Sequence, residues 1–237
     1  MGITNATISS PQVRISAVPL RLGRAGLSVA VHSAAAGGLR LLAGAPGSEE
    51  WLDTAARRIV RERIGSDGQY LEQLYTFGHA TADTRTVTVS YLALFRDHAL
   101  PDTGSQAIAW VAAHEVALPS AIDRQVLEYA LMRLRAKLGY TNIAFHLLPP
   151  TFTLSELQLA YEAVLDHPVD KRNFRRRMIV SGILDQLDEK RRDGSHRPAA
   201  LYRFAARDDH AAYLTPPWAV ERLEGAAEPL VVTRDRP

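Results

Sequence analysis

Residues 151–182, TFTLSELQLAYEAVLDHPVDKRNFRRRMIVSG, contain two helix-forming segments that are separated by a proline. Thr153 and Glu156 have the spacing of a capping box, in which each side chain binds the backbone N–H of the other residue and begins a helix. Pro168 lacks a backbone N–H and its ring obstructs the preceding turn, so the first helix must stop before it. Asp170 can cap a second helix, because its carboxylate accepts free N–H groups and suits the positive helix end. The stretch therefore predicts two helices joined by a tight turn.

The second helix is predicted to have an apolar side and a strongly basic side. At about 100° per residue, Phe174, Met178 and Ser181 share one face. The cations expected on the opposite face are Lys171, Arg172, Arg175 and Arg176. Lys and Arg bind phosphates and the O6/N7 edge of guanine, and Asn can bind adenine, as a helix in the major groove requires. Gly182 stands where a C-terminal glycine belongs.

Two alternating segments, residues 183–187 and 200–204, follow the second helix and predict a β-hairpin. The residues between them are basic, and they include Asp193-Gly194, a dipeptide that favours a hairpin turn. A basic hairpin beside a cationic helix is typical of a winged helix-turn-helix, so we predict that this part of the chain binds DNA. The alternative is a solvated basic helix and a charged loop on another small domain.

Composition gives the broad class. The chain has 237 residues, enough for two domains, and its 46% of hydrophobic residues can form a core. The formal net charge is only +2, yet residues 171–177 hold five cations and no acid, which favours a local nucleic-acid-binding face. There is no cysteine, which excludes disulfides and thiolate metal sites. No signal-peptide pattern and no apolar run of about 20 residues is present, so we expect a soluble, cytoplasmic protein.

The first part of the chain alternates strand-like and helix-like segments. Residues 1–12 are expected to be flexible, and residues 148–150, Leu-Pro-Pro, form a natural hinge. The predicted strands are residues 13–22, 27–32, 39–42, 71–77, 86–95 and 107–112. The predicted helices are residues 51–64 and 122–138. Trp51 and Trp110 are expected in the core, and the histidines at 79, 114 and 146 are not expected to bind metal.

Residues 44–65 have the spacing of a Nudix box, a loop and helix that bind a metal–pyrophosphate complex in Nudix hydrolases. The matching positions are Gly44, Glu50, Arg58, Val60, Glu62 and Gly65. Two positions that carry glutamate in the box differ, since they hold Ile59 and Arg63. Mg²⁺ prefers hard oxygen ligands, so Ile59 cannot bind it and Arg63 repels it. Hydrolysis is therefore expected to be lost, with Glu62 paired to Arg58 or Arg63.

Six segments resemble the NrtR family, the Nudix-related transcriptional regulators of NAD metabolism. They are YLEQLYTFG (70–78), VSYLAL (89–94), YALMRLRAKL (129–138), LPPTFTLSEL (148–157), DKRNFRR (170–176) and RPAALYRF (197–204). The resemblance covers about residues 40–205, and its C-terminal half is the more specific part.

This resemblance implies an α+β or α/β fold, with a Nudix-like mixed-sheet sandwich over residues 13–147. A winged helix-turn-helix domain with a C-terminal extension is implied for residues 148–237. The family works as a homodimer on palindromic operators, mostly as repressors of NAD synthesis or pentose use, and several members sense ADP-ribose or related nucleotides. The DNA contacts that it implies are Lys171, Arg172, Asn173, Arg175, Arg176, Arg192 and Arg197.

Three functions remain open at this point. The first is a DNA-binding repressor with a non-hydrolytic nucleotide sensor that uses Arg58, Glu62 and Arg63, without a catalytic residue, metal or cofactor. The second is a Nudix hydrolase of ADP-ribose-like nucleotides, in which Glu50 and Glu62 would be metal ligands. In the third, the Nudix-like domain is only a dimerisation scaffold, and DNA affinity is indifferent to nucleotides.

Overall fold

A six-stranded mixed sheet forms the larger part of the computed structural model, which describes residues 10–23, 26–35, 37–80, 84–96, 108–139, 141–192 and 198–205. The strands are β1 (Gln12–Gly23), β2 (Gly26–Ser33), β3 (Leu39–Gly44), β4 (Tyr70–Ala80), β5 (Arg85–Phe95) and β6 (Ile108–Ala112). Their order is β4-β5-β1-β3-β2-β6, with β1 and β5 parallel and the other neighbours antiparallel. The predicted strands are therefore confirmed within the described residues.

Side chains of β1 alternate between two cores, one on each face of the sheet, because successive side chains of a strand point in opposite directions. Ile15 lies in the core under α1 (Leu52–Ile64). Val18 lies in the core on the other face, under α2 (Ala121–Leu138). The sheet is thus covered by a helix on each side, as expected for a sandwich. α1 ends at Gly65, whose φ of 79° is a left-handed value that glycine adopts easily.

The remaining elements have the order of a winged helix. They are α3 (Leu154–Leu165), α4 (Lys171–Val180), β7 (Leu184–Arg191) and β8 (Ala199–Phe204), and a 3-10 helix at Ile143–Leu147 precedes them. β7 and β8 form the predicted antiparallel hairpin. A bridge between Phe152 and Tyr202, with backbone hydrogen bonds of 2.9 and 2.8 Å, attaches the chain before α3 to the hairpin.

The predicted helix caps are present. The N–H of Glu156 donates to Thr153 Oγ1 at 3.2 Å, and the N–H of Thr153 donates to Glu156 Oε2 at 2.7 Å. α3 ends before Pro168, and Asp166 follows its last residue with a left-handed φ of 61°. The N–H of Asn173 donates to the Asp170 carboxylate at 2.7 Å and begins α4.

The winged-helix elements pack directly on the sheet and on α2. One core contains Val18 of the sheet, Leu134 of α2, Leu157 of α3 and Met178 of α4. The hydrophobic contacts are therefore continuous from the Nudix-like part to α4.

Polar contacts add a second connection, at the C-terminal end of α3. Arg135 Nε donates to the Val164 carbonyl at 3.0 Å, and Arg135 Nη2 lies 3.2 Å from His114 Nδ1. His114 Nε2 lies 3.1 Å from the Ala163 carbonyl. These contacts satisfy carbonyls that the last turn of a helix leaves free. Arg135 of α2 and His114, which follows β6, therefore fix α3, the helix that precedes α4.

Some expectations are wrong or lie outside the described residues. Trp51 is 81% exposed, because it precedes α1 on the surface, whereas Trp110 is half-buried against Phe95. The expected flexible segment overlaps β1 at Gln12, and its residues 1–9 are outside the described part. The hairpin tip at 193–197, with Arg197, and residues 206–237 are outside it as well.

No helix in the described part has the length and apolarity that a membrane crossing requires.

Candidate nucleic-acid interface

α4 is anchored by one side only. Phe174 and Met178 are buried, and the Phe174 ring meets the Tyr161 ring edge-on with 5.2 Å between centroids. The exposed side chains of α4 are Lys171, Arg172, Asn173, Arg176, Ile179 and Val180. The apolar contacts hold the helix in place, and the opposite side presents cations and an amide to solvent.

Arg175 does not belong to the exposed row, contrary to the expectation from the sequence. It is half-buried, and its Nη2 donates to Ser155 Oγ of α3 at 2.8 Å. At about 100° per residue, position 175 lies roughly 80° from the centre of the buried face, whereas position 176 lies roughly 180° from it. Arg175 therefore connects the two helices, and Arg176 occupies the middle of the exposed side.

We expect the effects of substituting Arg175 and Ser155 on the free energy of unfolding to be coupled. Arg175→Ala, Ser155→Ala and the double variant form a mutant cycle, and the hydrogen bond should give a coupling of about 1 kcal/mol. Urea denaturation of the four proteins measures it. Strictly additive losses would contradict the contact.

The hairpin is tied to the start of α3. Arg191 Nη1 donates to Glu156 Oε1 at 2.8 Å, and Nη2 donates to the Thr151 carbonyl at 3.2 Å. Glu156 thus serves both the capping box and the hairpin. Arg192, next along the chain, is exposed on the same end of the hairpin. The cations of α4 and of the hairpin can bind phosphates, and those of α4 can also bind base edges.

Comparison with known proteins supports this architecture. Residues 144–204 match the family model of the NrtR DNA-binding winged helix domain. The crystal structure of Shewanella oneidensis NrtR complexed with a 27mer DNA is 28% identical, with a TM-score of 0.73 and coverage of 85% of this chain and 96% of that one. The curated ADPR responsive transcriptional repressor NtrR of Acinetobacter baylyi is 41% identical over 163 residues. The chain is thus similar to NrtR proteins over most of its length.

The extent of the matches differs. The match to the Acinetobacter baylyi repressor covers 66% of this chain and 65% of the relative, slightly less than two thirds of its length. A second crystal structure of Shewanella oneidensis NrtR is 29% identical, has a TM-score of 0.72, and covers 82% of this chain and 94% of that one. A MutT/nudix family protein from Enterococcus faecalis shares the fold at 18% identity, with a TM-score of 0.63 over 84% of this chain and 89% of its own.

The Nudix-like loop of this protein is closed by an ion pair. Arg58 Nε and Nη2 each donate to the Glu50 carboxylate at 2.9 Å, and the Gly47 N–H donates to it at 2.9 Å. Arg58 Nη2 also donates to the Ala45 carbonyl at 3.0 Å, and Nη1 lies 3.5 Å from Glu62 Oε1. The predicted pairing of Glu62 with Arg58 is confirmed. These donors to the charged carboxylate lower the pKa of Glu50 to about 2.

The residues present do not fit the metal site of a Nudix hydrolase. Ile59 is buried in the core, and its Cδ1 lies 3.0 Å from where a Cβ on Gly44 would stand, so this side chain packs against Gly44 and offers no oxygen to a metal. The Glu50 carboxylate is already bound by Arg58, and Arg63 is an exposed cation. Within the described residues, no group of three His, Cys, Asp or Glu could hold a metal ion.

The loop also borders an open depression. Its volume is about 560 Å³, and its lining residues are Gly47, Ser48, Glu49, Glu50, Trp51, Thr54 and Arg58. The exposed Trp51 ring gives it an aromatic wall, and Arg58 contributes a cation. These groups can stack on a base and bind a phosphate.

We expect the Glu50 carboxyl to titrate near pH 2 instead of at its ordinary value of 4.5. Because the pKa is lowered in the folded protein, the stabilising contribution is present above pH 4.5 and is lost as the pH falls towards 2. A carbon-detected NMR titration measures the midpoint. Arg58→Gln should return the midpoint towards 4.5, and an unchanged midpoint in that variant would show that Arg58 is not the cause.

Two features were not predicted from the sequence. The contacts of Arg135 and His114 with α3 join residues far apart in the chain, and no local pattern signals them. The exposed Ile179 and Val180 did have a signal, since helical spacing places both beside Arg176 and away from Phe174.

Proposed function

We propose that this protein is a transcriptional repressor of the NrtR family that inserts α4 into the major groove of DNA. The observation that carries the proposal is the one-sided anchoring of α4, with Phe174 buried and Arg176 in the middle of the exposed side. Ten residues of helix are about 15 Å long, which suits a groove about 12 Å wide. The proposed contacts are Lys171, Arg172, Asn173, Arg176, Arg192 and Arg197, whereas Arg175 holds α4 to Ser155 of α3.

The protein acts as a homodimer on a palindromic operator in genes of NAD metabolism. Two-fold symmetry places the two α4 helices in major grooves one or more helical turns apart, about 34–36 Å per turn. The DNA-bound Shewanella oneidensis relative supports DNA as the partner. DNase footprinting across the source genome tests the proposal, and we expect a protected palindrome upstream of NAD-metabolism genes. A protein that protects no site would contradict it.

The affinity of the dimer for DNA should depend strongly on salt concentration, because cations of the protein bind DNA phosphates. If the dimer makes about 6–10 phosphate contacts, affinity should fall about 10³–10⁵-fold between 50 and 200 mM salt. Fluorescence anisotropy over this range measures the slope. A flat salt dependence would contradict a cationic helix on the DNA backbone.

ADP-ribose or a related NAD-derived nucleotide is the effector, bound in the depression beside Trp51. The name of the Acinetobacter baylyi relative, an ADPR responsive repressor, supports this choice. Arg58 supplies a cation in the depression, Arg63 lies farther along α1, and Glu62 orients Arg58. Isothermal titration with ADP-ribose, NAD and related nucleotides tests binding. A Trp51→Ala variant should bind ADP-ribose more weakly than wild type. If titration with every one of these nucleotides gives no heat of binding, the proposal that the Nudix-like part senses a nucleotide is contradicted.

Hydrolase activity is absent from this proposal, because the buried Ile59 has no oxygen with which to bind a metal and the Glu50 carboxylate is bound by Arg58. An assay of Mg²⁺-dependent ADP-ribose hydrolysis separates it from the hydrolase alternative. Turnover that is lost in Glu62→Gln would favour the alternative, in which Glu62 and Glu50 bind the metal. Equal, background-level rates for both proteins agree with the proposal.

The nucleotide signal reaches α4 through α3, which Arg135 and His114 fix at its C-terminal end. A ligand can shift DNA affinity only if it binds the two arrangements of the protein with different affinity. Arg135→Gln should therefore reduce the effect of ADP-ribose on the DNA Kd, and the exposed Arg57→Gln is the matched control. If wild-type DNA affinity is indifferent to every nucleotide, the Nudix-like part is only a scaffold.

A further inference from the structure

Two large apolar side chains are exposed on α4. Ile179 is 57% exposed and Val180 is 79% exposed, in the last turn of the helix. The apolar side chains that hold α4 to the protein, Phe174 and Met178, are buried on the other side. Ile179 and Val180 therefore contribute little to the core.

Helix stability does not account for these residues. Ile and Val are branched at Cβ, so a helix restricts their χ1 angles and they form helices less well than Ala or Lys. Exposure to water adds the cost of unburied hydrocarbon. Two adjacent residues of this kind at exposed positions indicate a partner that covers them.

Their position identifies the partner. At about 100° per residue, Ile179 lies roughly 60° to one side of Arg176, and Val180 lies roughly 40° to the other side. The rise of 1.5 Å per residue puts Ile179 about 4.5 Å and Val180 about 6 Å beyond Arg176 along the helix axis. A surface that receives the Arg176 guanidinium therefore also meets these two side chains. The apolar pair continues the proposed DNA interface.

Only one base offers hydrocarbon in the major groove. Thymine carries a C5 methyl group there, and apolar side chains bind it, whereas arginine binds the O6/N7 edge of guanine. We propose that Ile179 and Val180 read thymine methyl groups next to the base pair that Arg176 contacts. This inference rests on the proposed DNA-binding function and adds two specificity-determining residues to it.

The experiment uses the full-length protein and the duplex that it enriches from a random-sequence library. Each thymine of the enriched site is replaced singly by deoxyuridine, which removes only the methyl group. For wild type, we expect uracil at one or two positions per half-site to weaken binding about fourfold, the value of one buried methyl group. Ile179→Ala or Val180→Ala should weaken the thymine duplex to a similar degree and become insensitive to uracil at its own position.

Leu159→Ala is the matched control, since Leu159 is an equally exposed leucine on α3. It should keep the wild-type response to uracil at every position. Tight binding with no effect of uracil anywhere, or the same effect in wild type and in both α4 variants, would overturn the inference. A library that yields no enriched duplex would instead contradict the proposed function, and this inference with it.

A second copy of the chain is the competing occupant. In that case Ile179→Ala with Val180→Ala would shift the sedimentation profile of the DNA-free protein towards monomer. Such a shift would overturn the inference. We expect the sedimentation profile of the double variant to match that of wild type.

Discussion

Arg176→Ala should weaken operator binding about 5- to 150-fold per half-site, the value of one arginine that binds a guanine edge at about 1–3 kcal/mol. Arg176 stands in the middle of the exposed side of α4 and makes no contribution to the buried face. In a two-fold dimer both protomers lose the contact. Fluorescence anisotropy with the enriched duplex measures the change.

Arg57→Ala is the control for net charge, because it removes an exposed arginine from α1. It should leave DNA affinity within about twofold, apart from the small effect of net charge on long-range attraction. The melting temperature of Arg176→Ala should equal that of wild type. Equal DNA affinities for the two variants would mean that α4 does not present Arg176 to DNA.

Phe174→Ala should lower the free energy of unfolding by about 3–5 kcal/mol, the usual cost of removing a buried phenyl ring. Phe174 is 9% exposed and packs edge-on against Tyr161 of α3, so its removal leaves a cavity between the two helices. DNA binding should be lost as well, because α4 is held chiefly by this face. Urea denaturation measures the stability.

Phe174→Leu tests how much of the loss comes from the missing hydrocarbon, because leucine is apolar but smaller than phenylalanine. It keeps part of the buried hydrocarbon and should cost less, about 1–2 kcal/mol. Some DNA affinity should then remain. A loss below about 1 kcal/mol in Phe174→Ala would contradict the burial of the ring.

Local signals predicted the helix ends well. Thr153 and Asp170 cap α3 and α4 as their side-chain chemistry and spacing predict, because a cap depends on residues only three positions apart. The strands were also recognisable, since alternation over five or more residues indicates which side chains enter a core. Neither signal depends on distant parts of the chain.

Distant contacts could not be predicted in the same way. Arg175 was expected with the exposed cations, but Ser155, 20 residues away, binds its guanidinium. Exposure of Trp51 depends on how the loop before α1 lies on the surface. A helical projection gives the angles of side chains around one helix. It does not show that a neighbouring helix, here α3, contacts the side of α4 that carries Arg175.

The Nudix box shows the same limit. Its departures at Ile59 and Arg63 were readable from spacing alone, and they predict a site that has lost two of its three helical metal ligands. The bidentate pair of Arg58 with Glu50 joins a helix to the preceding loop, and the sequence pattern does not reveal it. Because Arg58 binds both oxygens of the Glu50 carboxylate, Glu50 is not free to bind a metal.

The central claim, that α4 lies in the major groove, can be tested by directed cleavage of DNA. The chain has no cysteine, so Asn173→Cys creates a single attachment point for an iron–EDTA group on the exposed side of α4. Glu49→Cys gives the control attachment on the exposed loop before α1. We predict cleavage confined to each half-site from position 173 and little from position 49. Half-site cleavage from position 49, with none from position 173, would contradict the account.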